Sequence, residues 1–177
     1  DTRLMKAPGN RNLVGSSADF DGRFDPEGVA VGRQGTFFVS DEYGPAINEF
    51  NRQGHLVRRI AIPEKFLIGN PSGDVDAAGN SLELSPALNT SGRQANRGME
   101  GLAITPDGRY LFGMMQNALI QDNGLNTAVP PGRVGLNTRL LEVDLKTGAT
   151  SEYVYTVDAI GQGDRLVERP DRGRVHV

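Results

Sequence analysis

Two glutamates stand where this sequence could do chemistry. Glu27 lies in Asp25-Pro26-Glu27-Gly28-Val29-Ala30-Val31, and Glu100 in Asn96-Arg97-Gly98-Met99-Glu100-Gly101-Leu102-Ala103. Superposing the two stretches also pairs Gly28 with Gly101, Ala30 with Ala103, Gly35 with Gly108 and Phe37 with Tyr110. Self-similarity of this kind marks a repeated structural unit, here with a carboxylate at one fixed place. Carboxylates drawn to a common axis repel unless a proton or cation joins them, and Ca2+ accepts about six to eight oxygen ligands. Glu27 and Glu100 are therefore candidate calcium ligands, with Asn117, which follows a strand of the second copy, as a further oxygen donor.

Asp25 is two residues from Glu27 and shares its face of an extended strand. Glu42, in Ser40-Asp41-Glu42-Tyr43, follows the second strand of the first copy. Asp25 and Glu42 are the candidate catalytic carboxylates, able to orient a water or take its proton. Arg97 and Arg139 offer planar forks for a substrate anion. Each has a blander reading: a glutamate anchoring a neighbouring blade's backbone or pairing with Arg97, Asp25-Pro26 initiating a turn, Asp41 and Gln116 capping hairpins, arginines in water. His55 falls in a turn and His176 in a charged tail, neither placed as a general base.

The elements that must hold these groups are short strands. Glu27–Val31 and Thr36–Ser40 flank Gly32-Arg33-Gln34-Gly35; Ile47–Asn51 alternates apolar and polar; Arg52-Gln53-Gly54-His55 turns into Leu56–Ile62. The second copy runs Glu100–Ile104, a Thr105-Pro106-Asp107-Gly108 turn, Tyr110–Met115, a Gly/Pro-rich excursion from Asp122 to Gly135, Thr138–Asp144 and Ser151–Val157. Met114-Met115 reads as core. Between the copies, Gly69 to Asn96 is a long polar loop with Leu82-Glu83-Leu84 its one strand-like part, and Asn89-Thr90-Ser91 fits the glycosylation acceptor pattern. Four antiparallel strands in about 40 residues match one propeller blade. The expected fold is all-β and of β-propeller type: a first blade over 25–62, a second over 98–157, and an irregular tail over 158–177. Propellers close with about 4 to 8 blades, so two blades alone read as an incomplete propeller within a single partial domain spanning 1–177.

Composition agrees. Gly 23 and Pro 10 in 177 residues favour turns over long helices. A net charge of −3 argues against a nucleic-acid or polybasic membrane footprint, and no apolar run is long enough to span a bilayer. The absence of cysteine removes disulfides and thiolate metal sites. There is no Gly-x-Ser-x-Gly elbow, no phosphate-binding Gly-x-x-x-x-Gly-Lys loop and no His/Cys zinc cluster.

At Asp25-Pro-Glu-Gly-Val-Ala30, Ser40-Asp-Glu-Tyr-Gly-Pro45 and Asn96-Arg-Gly-Met-Glu-Gly-Leu-Ala103 the sequence resembles the phytase-like family with esterase-like activity, over about Phe24 to Asp158. The resemblance implies a β-propeller and a secreted or periplasmic hydrolase acting on phosphate esters such as phytate. Combined with the acidic repeat, the expectation is a Ca2+-dependent phosphoester hydrolase whose partner is a small-molecule ester. Two alternatives stay open: a calcium-dependent hydrolase of carboxylic esters or lactones, and a non-enzymatic propeller that binds a ligand or protein through its long loops.

Overall fold

The computed structural model describes residues 25–157, apart from 45, 73, 127 and 129–131. The expected tail over 158–177, with His176, lies outside the described residues. Eight strands form: β1 (Pro26–Val31), β2 (Phe37–Asp41), β3 (Ala46–Phe50), β4 (Leu56–Ile60), β5 (Met99–Ile104), β6 (Tyr110–Met115), β7 (Asn137–Asp144) and β8 (Thr150–Thr156). They make two four-stranded antiparallel sheets, β1-β2-β3-β4 and β5-β6-β7-β8, each a simple meander. The described residues contain no α-helix.

Turn chemistry sets the registers. Gly35 and Gly108, paired in the sequence repeat, both take left-handed backbone (φ 80° and 70°), so a two-strand reversal closes at the same point of each copy. Phe37 sits opposite Phe50 across β2–β3, and their rings stack at 5.3 Å. In β6 the alternation is strict: Leu111, Gly113 and Met115 face inward. Met115 is core as expected, whereas Met114 is only half-buried.

The sheets pack with β1 and β5 side by side. Phe38 and Ile47 of the first sheet and Met99, Leu111 and Leu141 of the second belong to one apolar core. Ser40, fully buried, ties them together: its hydroxyl accepts from Gly28 N (2.8 Å) and donates to the Glu100 carbonyl (3.4 Å). A side chain on Gly28 would place Cβ 2.5 Å from that carbonyl. At the far end Arg33 Nη1 donates to the Asp107 carbonyl (3.0 Å), turn to turn.

Three expectations need correction. Leu82–Leu84 is a 3-10 turn, not a strand; Ser81 Oγ accepts from Glu83 N and starts it. It turns so that Glu83 can point inward to Arg93. Both side chains are fully buried, Nη1 to Oε2 is 2.9 Å, and Glu83 Oε1 also accepts from Ser72 N (2.9 Å). The long loop is thus organised around a buried ion pair. β4 ends at Ile60, two residues earlier than expected. Finally, Asn89 is 3% exposed and its amide is spent on Asn70 and Glu83, so the acceptor triplet is closed to glycosylation in the folded chain.

Candidate functional site

Both glutamates of the repeat occupy β-bulges. The β1–β2 register shifts between Pro26 and Val29, and the β5–β6 register shifts between Met99 and Gly101. A bulge turns a side chain out of the regular alternation, and bulges are common beside active sites. Glu27 and Glu100 are redirected by the same device, and they lie close enough that Glu100 feels the charge of Glu27.

The rest of the site follows from the open end of the first hairpin. Glu42 N donates to the Asp25 carbonyl (3.0 Å), extending the β1–β2 ladder and setting the two acids opposite each other. Asp41 Oδ1 accepts from Asp25 N (3.2 Å) and Tyr43 N (3.0 Å), which fixes the turn; Asp41 is a cap, as its blander reading has it. One carboxylate oxygen each from Asp25, Glu27 and Glu42 then lies within 4.8 Å of the others. Glu42 is enclosed (4% exposed), Asp25 half-buried and Glu27 open to solvent.

The electrostatics of this group are those of crowded like charge. Burial, then Asp25, Glu27 and Glu100, push the Glu42 carboxyl up to about 7, against the pull of Arg97. Burial and Glu27 raise the Glu100 carboxyl in the same sense, again opposed by Arg97. All donors are carboxylate oxygens, the set that a hard cation such as Ca2+ takes and that zinc or copper does not favour. The residues present fit that ion.

The second sheet repeats the backbone of this corner but keeps only one of its three acids, Glu100 in the place of Glu27. Gln116 N donates to the Gly98 carbonyl (3.0 Å), as Glu42 N does to that of Asp25. Gly98 thus stands where Asp25 stands, and Gln116 where Glu42 stands. Gly98 is also pressed on the first sheet: a Cβ there would fall 1.8 Å from the Glu42 carbonyl oxygen. Glu100 is the one acid the second copy contributes.

The profile described as "Phytase-like: Esterase-like activity of phytase" matches residues 5–171. The chain belongs to this phytase-like family. It is also 30% identical over 192 residues to an "Uncharacterized secreted protein" of Arthroderma benhamiae, covering 88% of this chain and 36% of that one. The chain thus spans about a third of the length of that curated relative.

Within this family member, the structure gathers some of the predicted residues and leaves others apart. Asp25, Glu27, Glu42, Glu100 and Arg97 form one neighbourhood. Asn117 is half-buried; its carbonyl accepts from Thr138 Oγ1 (3.3 Å), and its side chain makes no hydrogen bond to the acids. Arg139 is elsewhere: its fork grips Asp122 at 2.7 Å through both Nε and Nη2, with Glu152 at 3.5 Å, so its donors are committed. Sequence reasoning missed Ser40 and Gly98, although Gly98 aligns with Asp25 in the repeat. It also missed Arg133, which sits in the Gly/Pro-rich excursion with no motif around it.

Proposed function

We propose that this chain carries the site of a Ca2+-dependent hydrolase of phosphate esters, built on two neighbouring blades of a β-propeller. The single observation that carries the reading is the convergence of Asp25, Glu27 and Glu42 within 4.8 Å, with Glu42 enclosed. Two four-stranded meanders set side by side have the form of blades. Val29 and Val31 on the exposed face of β1 are apolar surface that a further blade would cover. A relative named as secreted supports a secreted or periplasmic setting.

Asp25, Glu27 and Glu42 would hold the ion, with Glu100 beside them. Bound there, calcium would polarise a phosphoryl oxygen and lower the pKa of water. Glu42 and Asp25 are the carboxylates in reach of a water proton. Arg97, next to Glu42 and Glu100 but in no ion pair among the described residues, would meet the ester's anionic group. Ser40 and Gly98 touch no substrate; they fix the spacing between the sheets.

The reading is tested by titrating calcium into the chelator-treated chain by calorimetry, alongside Glu27→Gln and Glu42→Gln. Binding should occur in the wild type and weaken at least tenfold in either variant; no heat at millimolar calcium overturns it. Initial rates on an aryl phosphate, an aryl acetate and a lactone, with and without chelator, then separate phosphate esters from carboxylic esters and lactones.

A further inference from the structure

We propose that Arg133 is a substrate-binding residue, the second arm of an anion clamp with Arg97, and that the clamp selects a dianionic phosphoryl group over a carboxylate or a neutral ester. The proposal rests on the metal centre described above for its location, though not for its chemistry.

The geometry runs through four residues of backbone. Arg133 Nη2 donates to the Ala95 carbonyl (3.0 Å), anchoring the excursion to the stretch that leads into β5. Arg97 is two residues further on, held by its own N–H to the Gln94 carbonyl (3.1 Å). Gly98 then packs directly on the Glu42 backbone. Two guanidiniums and the enclosed carboxylate therefore flank one short segment, residues 95–98. The like charge of Arg97 depresses the Arg133 guanidinium, after burial, and Glu42 opposes the shift. The shared segment thus keeps the three groups within electrostatic reach of one another.

What the two arginines lack is an anion. Neither forms an ion pair within 4 Å among the described residues, and Arg97 Nε is buried without a hydrogen-bond partner. Contrast Arg93, Arg109 and Arg139, each forked on a carboxylate of its own. Two guanidiniums held together at a cost in mutual repulsion are matched by a ligand carrying two negative charges and three oxygens. A carboxylic ester or lactone would leave both without an anion in hydrogen-bond reach, so the pair also decides between the ester classes.

The test uses phenylphosphonate, a non-hydrolysable dianion, and phenylacetate as its carboxylate counterpart, titrated calorimetrically into the 177-residue chain with and without calcium. Wild type should bind phenylphosphonate at least about fivefold more tightly than phenylacetate, and Arg133→Gln should weaken phosphonate binding by about fivefold or more while calcium affinity does not fall. Arg133→Lys, which keeps the charge, should recover part of the loss; a residue that merely props up Ala95 would lower the melting temperature and show no such rescue. A loss below fivefold in Arg133→Gln, no phosphonate binding at all, or equal affinity for the two anions overturns the proposal. The outcomes also separate the two readings. Calcium binding without phosphonate binding removes the clamp and leaves the metal centre; Arg133-dependent phosphonate binding in a chain that takes up no calcium does the reverse.

Discussion

Replacing Arg93 with methionine should be among the costliest single changes in this chain. Glu83 and Arg93 are both without exposure, and among the described residues the carboxylate's other polar partner is Ser72 N. Arg93→Met keeps a long apolar stem and removes the charge, stranding a buried carboxylate; losses of about 3–5 kcal/mol follow from breaking such a pair on one side. Total stabilities are about 5–15 kcal/mol, so a large share of the fold's margin goes. For a domain of this size the melting temperature should fall by roughly 6–20 °C. Urea denaturation followed by far-UV circular dichroism measures it, since the chain has no tryptophan. Two comparisons isolate the cause. Arg58→Met, which breaks the half-exposed pair to Glu49 at 2.6 Å, should cost no more than about 1 kcal/mol. The double change Glu83→Leu, Arg93→Met should cost less than Arg93→Met alone, because no charge is then left stranded. Equal losses for Arg93→Met and Arg58→Met, or a double variant as damaged as the two single changes added together, would refute the reasoning.

Other expectations follow from the same contacts. Ser40→Ala removes the bond to Glu100 that crosses between the sheets and the bond from Gly28 within the first, and should cost about 1–3 kcal/mol by urea denaturation; calcium affinity should drop with it, since Glu100 is no longer pinned to β2. Gly98→Ala forces a methyl against the Glu42 carbonyl and should destabilise by at least about 3 kcal/mol, with calcium binding lost before the fold is. The calcium-free chain should be pH-sensitive in a defined direction. Glu42 keeps its proton up to about 7 when folded, against 4.5 as the ordinary value, so the folded chain binds more protons in that window and stability falls as pH rises from about 4.5 to 7. Melting curves across that range should show the slope, and Glu42→Gln or saturating calcium should flatten it; a slope untouched by Glu42→Gln would count against the assignment.

The strand order was legible because its signals are local. Period-two alternation, and glycines at Gly35 and Gly108 where the backbone turns left-handed, are written into adjacent residues. So was the pairing of Glu27 with Glu100, since a repeat places equivalent side chains equivalently. What stayed hidden depends on contacts distant in sequence. Leu82-Glu83-Leu84 looks like a strand until Arg93 is seen to draw Glu83 inward. Arg139 looks as available as Arg97 until Asp122 and Glu152 are found on it. Arg133 has no periodic or motif signal; only the bond to Ala95 brings it to the site.

Gly98 explains why a chain that folds its module twice carries one acidic corner. For the second copy to acquire its own, an aspartate would have to stand at Gly98, the counterpart of Asp25, in space already filled by the Glu42 backbone. The first copy's corner is seated on the glycine of the second. Duplication therefore yields an asymmetric pair in which one module is equipped and its twin serves as the bearing surface, and the expected stoichiometry is a single ion for each such pair.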